Sequence, residues 1–357
     1  GAGTVGIAAL AGCSGDGGDG SGTTTEDTTE ATGTTGTRTT TAGAPSGTLT
    51  VATYSSFTGE GAAGTWLKSA FEEEYADATV EFVTPSNGVT RYVQRTKQGA
   101  PIDADLYVGL NAGELASADE QLDTQLFAPI EDDLSNAGAV RDSLVIDPEG
   151  RAITYDTGYI TLVYNEGEVE NPGTFDALLD PAYEDALITE NAQQSDPGRA
   201  FLLWTIHEKG TDGYLDYWEG LVDNGVTILS DWEPAYNAYM NDEAPIVVSY
   251  STDQVYYHGE GVNMAKHQVG FLNDQGYANP EAMGVFSEAA KPDLARAFVD
   301  FSLTADAQTE IAARNVQFPA REGVTLPEDL KKYAYEPPEP VTFTYDELAG
   351  NVNAWID

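Results

Sequence analysis

From residue 48 onward, short strand-like runs alternate with amphipathic helix-like runs, and this order constrains the fold more than any other feature. TLTVATY (48–54) has the period-two pattern of a strand, GTWLKSAFEEEYA (64–76) collects its apolar side chains on one helical face, and TVEFV (79–83) is strand-like again. The alternation continues to residue 251, and residues 291–315 predict two consecutive helices. The sequence therefore predicts an α/β protein with mostly parallel strands.

The first 46 residues have a different character. Residues 1–12 are small and apolar and end in Leu10-Ala11-Gly12 before Cys13, the single cysteine of the chain. This run is too short to span a bilayer and is typical of the end of a secretory signal, where L-A-G-C resembles the lipobox of lipoproteins. We expect lipidation of Cys13; the alternative is an incidental cysteine at a frayed terminus.

Residues 13–46 are rich in Thr and Gly and predict a disordered tether, since they cannot bury enough apolar surface to fold. A flexible spacer after a lipid-accepting cysteine would hold a globular body near a membrane while leaving it free to turn. We therefore expect an exported protein, anchored by lipid at the outer face of the cell membrane.

The chain is strongly acidic, with 59 Asp and Glu against 16 Lys and Arg and a formal charge of −43. Most of these acids lie among aromatic and aliphatic segments, which indicates a folded acidic surface. Concentrated salt would screen the repulsion between them, so the composition indicates a salt-adapted organism, and we expect an archaeon. A nucleic-acid partner is not expected, because binding to phosphates needs Lys and Arg.

Few residues offer catalytic or metal chemistry. One cysteine excludes an internal disulfide, and the three histidines form no Cys/His cluster for zinc. The chain has no nucleophile elbow, H-E-x-x-H motif or P-loop. We predict no catalytic residue, no resident metal and no cofactor, although with 59 acids carboxylate pairs cannot be judged from the sequence.

GEGAAG (Gly59–Gly64) matches the G-x-G-x-x-G fingerprint of dinucleotide sites and leaves a nicotinamide-dependent oxidoreductase as an alternative function. The context is imperfect, because SSFT separates the motif from the first strand and Val83-Thr84 stand where an acid is expected. The other interpretation is a flexible loop.

Several residues suit a ligand site. Ser195 and Asp196 occupy N-cap positions before the helix 198–210, and Gly198 allows close approach to the helix N-terminus, which favours anions. An ordinary helix cap explains the same residues, and Asp196 would repel an anion that it faced.

Aromatic residues stand at the ends of three predicted strands, namely Tyr54, Trp232 and Tyr250. In parallel α/β sheets ligands bind at the carboxyl ends of strands, so these rings could form a cage for a flat heterocycle or a cation. Each ring could equally belong to the core. Tyr256, Tyr257 and His258 raise a second possibility, a ferric iron site.

Eight motifs follow one another along the chain, namely TYSSF (53–57), SNGVTRYVQR (86–95), ADLYVGLN (104–111), YDTGYITLVYNEGEV (155–169), SDPGRAFLLW (195–204), DWEPAYNAYM (231–240), SYSTDQVYY (249–257) and KPDLARAFVDF (291–301). In this order they resemble the thiamine-binding proteins of ABC importers, and the resemblance extends over residues 48–345.

The resemblance implies a two-lobed, type II periplasmic-binding-protein-like fold in which crossing strands join two α/β lobes. Residues 159–165 and 268–273 resemble the crossings. Lobe 1 would comprise 47–157 plus 266–357, and lobe 2 would comprise 158–265.

The resemblance also implies a ligand site in the cleft. The positions that match the family's site are Tyr54, Asn87, Ser195, Gly198, Trp232, Tyr250 and Tyr256, with Ser195 and Gly198 at the helix start that receives a phosphate. The chain departs from the family at Asn87, where the family has an acid, and it lacks two tryptophans, one near Gly59 and one at Val316–Phe318.

We therefore expect a monomeric, non-enzymatic receptor for thiamine, thiamine phosphate or thiamine diphosphate. Its expected partners are an ABC permease with its ATPase and the membrane. A ferric iron receptor of the same fold is the alternative within this class.

Overall fold

The computed structural model describes residues 45–356. The predicted signal remnant, Cys13 and nearly all of the predicted tether lie outside these residues. Within the described residues, every helix is too short or too polar to cross a membrane.

The described residues form one hydrogen-bonded sheet of eleven strands. The strands are β1 (Gly47–Ala52), β2 (Ala78–Val83), β3 (Leu106–Leu110), β4 (Ala152–Tyr164), β5 (Leu187–Glu190), β6 (Thr227–Leu229), β7 (Ile246–Tyr250), β8 (Gln268–Gly270), β9 (Gln275–Val285), β10 (Phe318–Pro319) and β11 (Glu339–Val341).

Helices cover both faces of this sheet. They are α1 (Ala63–Glu74), α2 (Thr90–Lys97), α3 (Ala112–Gln121), α4 (Asp196–Lys209), α5 (Tyr214–Asp223), α6 (Trp232–Met240), α7 (Asp253–Tyr256), α8 (Pro292–Ser302), α9 (Ala305–Asn315), α10 (Glu328–Tyr333), α11 (Tyr345–Leu348) and α12 (Val352–Ile356). The helix pair predicted at 291–315 is confirmed as α8 and α9.

The sheet has two parallel ends and an antiparallel centre. Its main order is β2-β1-β3-β9-β4-β7-β5-β6, with β1 parallel to β2 and β3 at one end and β5 parallel to β6 and β7 at the other. Between them, β9 and β4 run antiparallel to each other and to their outer neighbours. The prediction of mostly parallel strands is therefore right for each end and wrong for the centre. Each parallel end builds one of two lobes.

Two long strands join the lobes. The first part of β4 pairs with β9 up to Ile160, and its last residues, to Tyr164, pair with β7 and β8. The first crossing, expected at 159–165, is thus part of a strand that begins at Ala152. The second crossing, expected at 268–273, contains the short β8, which pairs with β4, and the longer strand β9 follows it. The lobe boundaries at 158 and 265 stay a prediction.

Apolar clusters pack on the sheet at both ends, and the largest of them contains residues of both. In the first lobe, Leu67 and Phe71 of α1 and Phe298 of α8 pack on β1 and are completely buried. In the second lobe, Phe201 and Trp204 of α4 pack on one sheet face, and α6 covers the opposite face. These cores leave the carboxyl ends of the parallel strands free to carry polar groups.

Candidate ligand-binding cleft

The carboxyl ends of the parallel strands carry the aromatic and acidic side chains of the candidate site. In the first lobe, Tyr54 follows β1 and Asn111 follows β3. In the second lobe, Glu190 ends β5, Tyr250 ends β7 and Trp232 follows β6. Parallel pairing places the ends at one edge within each lobe.

Tyr54 belongs to a hydrogen-bonded group at the junction of the lobes. Its hydroxyl donates to a Glu281 carboxylate oxygen at 2.8 Å and lies 3.2 Å from the Tyr155 hydroxyl. The Asn315 amide donates to the Tyr54 hydroxyl at 3.1 Å and to Asp156 at 2.7 Å. A residue of the first strand is thereby connected to both crossing strands and to the end of α9.

The crossing strands bring two carboxyl groups into this group of residues. Asp156 is completely buried, and its second carboxyl oxygen has no partner among the described residues. Glu281 accepts hydrogen bonds from Tyr54 and Tyr155. Burial, with repulsion from Asp196, raises the pKa of Glu281 to about 7. Burial, with repulsion from Glu281, also raises the pKa of Asp156 well above its usual value. A cation bound here would stabilise both carboxylates.

Asp196, in the first turn of α4, connects the second lobe to the strands of the first. Its carboxyl oxygens accept from the side-chain amides of Asn111 and Asn279, each at 2.5 Å. On the same helix, Arg199 lies 3.7 Å from Glu114, whose pKa burial raises to about 7. The start of α4 thus has neighbouring carboxyl groups, and its nearby cation is already paired.

The start of α4 differs from the phosphate-receiving site that the resemblance implies. Ser195 is at the N-cap position, but its hydroxyl makes no cap hydrogen bond and is buried without a partner among the described residues. A Cβ at Gly198 would lie 2.5 Å from the Glu190 backbone oxygen. Gly198 is therefore required because the backbone of β5 passes close to α4, and the close approach inferred from the sequence is made by the protein itself.

Glu190 is the least satisfied acid of the second lobe. It is 1% exposed, and neither carboxyl oxygen has a hydrogen-bond partner among the described residues. Burial, with repulsion from Asp231, raises its pKa to about 8. Along β5, Ile188 packs with Tyr236 and Trp232, so the alternation of strand side chains places Glu190 on this same face.

Aromatic rings surround this acidic region. Trp232 stacks on Tyr236 with ring centroids 5.0 Å apart, and its indole N–H donates to Ser249 at 3.0 Å. The half-buried Tyr250 packs on β4, where a Cβ at Gly158 would lie 2.7 Å from its ring. Rings and acids therefore lie within one region of the molecule.

The charges next to Tyr250 come from the second lobe and from both crossings. Burial, and then repulsion from Asp196, Glu281, Glu190 and Asp156, raises the pKa of the Tyr250 phenol well above its usual value. An organic cation would meet aromatic faces and carboxylates together in this region.

Two of the predicted site residues, Asn87 and Tyr256, are exposed. Asn87 is exposed in the turn between β2 and α2. Tyr256 is 62% exposed at the end of the short helix α7, and its ring contacts Tyr257 at 6.4 Å between centroids. The structure brings Tyr54, Ser195, Trp232 and Tyr250 to the strand edges, whereas a role for Asn87 or Tyr256 in binding stays a prediction.

The tyrosines and histidine considered for iron contact different partners. Tyr257 stacks on His267 at 4.3 Å, and His258 stacks on Tyr333 at 4.0 Å. The described residues contain no group of three or more His, Cys, Asp and Glu side chains that could hold a metal ion.

The fingerprint at Gly59–Gly64 has a packing explanation. A 3-10 helix (Ser55–Thr58) separates it from β1, and α1 starts only at Ala63. A Cβ at Gly64 would lie 2.5 Å from the Phe57 ring. This glycine therefore allows α1 to pack on a buried phenylalanine.

Sequence reasoning missed the acids and amides of the cleft, namely Glu114, Asp156, Glu190, Asn279, Glu281 and Asn315. A usable signal existed for two of them. Asp156 interrupts a mostly apolar run and Glu190 ends the strand LITE, and an acid in a buried strand requires a partner or a ligand.

Comparisons with known proteins are consistent with this architecture. A family model described as "Bacterial extracellular solute-binding protein" matches residues 105–344. The chain is 27% identical over 313 residues to a "Thiamine-binding periplasmic protein" of Escherichia coli (strain K12), covering 86% of this chain and 91% of that protein.

Solved structures share the fold. A "Periplasmic thiamin binding protein" superposes with a TM-score of 0.75 at 26% identity, covering 87% of this chain and 94% of the other. A "Ferric binding protein from Campylobacter jejuni" reaches a TM-score of 0.71 at 15% identity, covering 86% of this chain and 97% of the other. The second likeness shows the fold alone.

Proposed function

The chain belongs to the bacterial extracellular solute-binding protein family, and from this premise we propose that its cleft binds thiamine or a thiamine phosphate for ABC import. Members of this family are transport receptors and not enzymes, so the oxidoreductase alternative at Gly59–Gly64 is not retained. The family has a two-lobed periplasmic-binding-protein-like fold.

The observation that carries the proposal is the pairing of buried carboxyl groups with aromatic rings. Asp156 and Glu281 lie at the junction of the lobes, and Tyr54 and Tyr250 lie beside them. A thiazolium ring carries a fixed positive charge, which carboxylates and aromatic faces both stabilise. A planar aminopyrimidine in addition suits stacking on aromatic side chains.

Known relatives support this choice of ligand. Proteins named as thiamine-binding align with most of this chain, including the region of both crossing strands. We propose that Tyr54, Ser195, Trp232 and Tyr250 contact the ligand directly, with Asn87 and Tyr256 at the rim of the cleft. Gly198 contributes by allowing α4 to lie close to β5.

Titration calorimetry in molar salt tests the proposal. Thiamine, thiamine phosphate and thiamine diphosphate are titrated into the receptor, and at least one of them should give saturable heat at a ratio of one to one. Ferric citrate serves as the comparison ligand. An absence of heat with all three thiamine forms, or a visible iron–tyrosinate band after iron loading, would refute the proposal.

We also propose that the receptor is lipid-anchored at Cys13 and delivers its ligand to an ABC permease and its ATPase. The lipobox-like L-A-G-C and the Thr/Gly-rich stretch after it support the anchor. Cys13→Ser should move the exported receptor from the membrane fraction to the medium while leaving its ligand affinity unchanged. Retention of Cys13→Ser on the membrane would contradict the anchor.

The acidic surface supports a salt-adapted archaeal source and a monomeric receptor. The formal charge of −43 on one chain disfavours both compaction and self-association in dilute buffer. We expect the melting temperature to rise with potassium chloride up to molar concentrations, because the Debye length falls to about 3 Å at 1 M. Sedimentation in molar salt should give a single species of monomer mass.

A further inference from the structure

The edge of the second lobe where β5 and β7 end and α4 begins carries hydrogen-bond acceptors and hydroxyl groups that lack partners. Among the described residues, Glu190 has two unpaired carboxyl oxygens, and the Ser195 and Ser251 hydroxyls are unpaired. All three residues are at most 1% exposed. Buried polar groups normally have partners, so their occurrence together at the strand ends indicates that a ligand completes them.

The chain places these groups in one region. Glu190 ends β5 and Ser195 precedes α4, and the Gly198 contact holds the two elements together. Ser251 directly follows β7, whose neighbour in the sheet is β5. The backbones of the three residues therefore meet at the edge of the second lobe where β7 ends in Tyr250, with the Glu190 side chain on the α6 face of the sheet.

The charges in this region are predominantly negative. The titratable and charged groups on the elements around Glu190 are Asp231 at the start of α6, Tyr250 on β7, Asp196 and Arg199 on α4, Asp156 on β4 and Glu281 on β9. Arg199 is the single cation among them, and it has Glu114 and Asp196 as acidic neighbours. Its Nε–H has no hydrogen-bond partner among the described residues, and its Nη1 atom lies 3.7 Å from Glu114.

The two free carboxyl oxygens of Glu190 determine which ligand groups can form hydrogen bonds with it. A hydroxyl or amino group can donate to the free oxygens of Glu190, whereas a phosphate dianion offers only acceptors. A phosphate would also place like charges close together in a region of low dielectric.

Building on the proposed function, we propose that this end of the cleft takes a donating hydroxyl or amino group and rejects phosphate, with Glu190 as the residue that determines this specificity. With Glu190 ionised, the receptor then prefers thiamine over its phosphate esters. The N-terminus of α4 does not act here as an anion site, because the acids around it outweigh its partial positive charge.

Competition between thiamine and thiamine phosphate tests the inference. Both ligands are titrated into the wild-type chain in molar salt at about pH 6.5 and about pH 8.5, on either side of the Glu190 pKa of about 8. At the higher pH we expect thiamine to bind at least about tenfold more tightly, a free-energy difference of about 1.4 kcal/mol. At the lower pH the ratio should shrink, because protonated Glu190 can donate to a phosphate.

Two variants isolate the residue. Glu190→Gln should bring the ratio of the two affinities close to one at about pH 8.5 and remove its pH dependence. Glu219→Gln, which removes an exposed acid of α5 in the same lobe, should leave the ratio as in wild type. Because the ratio of the two affinities is compared, an effect of a substitution that is the same for both ligands does not change the result.

The outcomes separate this inference from the proposed function. If neither ligand binds, the thiamine receptor itself is refuted. If both bind wild type equally at about pH 8.5, or if Glu190→Gln leaves their ratio unchanged, the receptor stands and only the selection against phosphate is refuted. If Glu190→Gln does not fold, the affinities of the wild-type chain for the two ligands at the two pH values test the selection against phosphate by themselves.

Discussion

The Tyr54 hydroxyl donates a 2.8 Å hydrogen bond to the Glu281 carboxylate and so connects the end of the first strand to the strand that returns from the second lobe. Tyr155 and Asn315 extend this connection to β4 and α9. A ligand that contacts Tyr54 therefore meets a group of residues that includes both crossings. The charge of a bound ligand therefore acts on the same hydrogen bonds that connect the two lobes.

The first prediction concerns the pH dependence of affinity. Burial raises the pKa of Glu281 to about 7, so in the free receptor this carboxyl takes up a proton as the pH falls below that value. A cationic ligand binds the ionised form better. Affinity for thiamine should rise between about pH 6 and about pH 8, by up to about tenfold per pH unit, and binding should release protons.

Calorimetry in two buffers of different ionisation enthalpy measures this proton release. Asp156 on β4 and Asp196 on α4 are the acids near Glu281, and the Tyr54 and Tyr155 hydroxyls donate hydrogen bonds to it. Glu281→Gln should weaken binding at about pH 8 and flatten the pH profile. Glu288→Gln, at an exposed position just after β9, is the control. A wild-type affinity independent of pH would contradict the prediction.

The second prediction separates Trp232 from Trp204. Trp232 is half-buried beside the acids of the cleft, so Trp232→Ala should weaken thiamine binding about tenfold, from loss of an aromatic face worth about 0.5–2 kcal/mol. Trp204 is completely buried, and its indole N–H donates to Gln275 at 3.2 Å. Trp204→Ala would open a cavity costing about 3–5 kcal/mol, so Trp204→Phe is the better control.

The measurement for this pair is calorimetric affinity together with a denaturation midpoint. Trp204→Phe should lower the denaturation midpoint and keep the wild-type affinity. Trp232→Ala should lower the affinity and keep the midpoint close to that of wild type. Equal affinity in the two variants would remove Trp232 from the proposed aromatic cage.

Much of the fold could be predicted from the sequence, because its outer strands and helices follow simple periodicities. The centre could not be predicted in the same way. Strand β9 contains Gly276, Asn279, Pro280 and Glu281, residue types that are depleted in strands, and it is held by pairing with β4 and β3. Tertiary context decides its conformation.

The candidate site, too, could be predicted from the sequence only in part. The aromatic residues could be predicted, because they stand directly at strand ends in the sequence. The acids could not, since their partners are far apart along the chain, as in the pair Tyr54 and Glu281, separated by 227 residues. In a chain with 59 acids, only the fold distinguishes a buried carboxylate from a surface one.

The third prediction concerns the close contact between β4 and β7. A Cβ at Gly158 would lie 2.6 Å from the Gln317 side-chain oxygen and 2.7 Å from the Tyr250 ring. Gly158→Ala must therefore displace Tyr250, and we expect about tenfold weaker thiamine binding with a stability loss of about 1–3 kcal/mol. Gly259→Ala, where no atom lies within 4 Å of the added Cβ, should change neither quantity. Wild-type affinity in Gly158→Ala would mean that the position of Tyr250 does not matter for binding.

The fourth prediction tests a buried ion pair away from the cleft. Arg151 and Asp147 are each 1% exposed, and the guanidinium donates to both Asp147 oxygens at 3.1 and 2.9 Å. Arg151 also donates to Asp119 at 2.8 Å, and the Tyr345 hydroxyl donates to the same Asp119 oxygen, which holds α11 against the first lobe.

Asp147→Asn leaves the Arg151 guanidinium buried with Asp119 as its remaining hydrogen-bonded carboxylate, so we expect a loss of about 3–5 kcal/mol in the free energy of unfolding. Burial opposes ionisation of Asp147, but hydrogen bonds from Arg151 outweigh it and lower the pKa of Asp147. This contribution to stability is therefore present above the unfolded-state pKa of Asp147 and is lost as the pH falls through its folded-state pKa.

Asp293→Asn is the control, because it removes the exposed partner of Arg296 and should change stability little. Denaturant titration in molar salt measures both variants, since salt screens the surface pair and leaves the buried one largely intact. Equal midpoints for the two variants would show that the buried pair does not stabilise the fold more than the surface pair does.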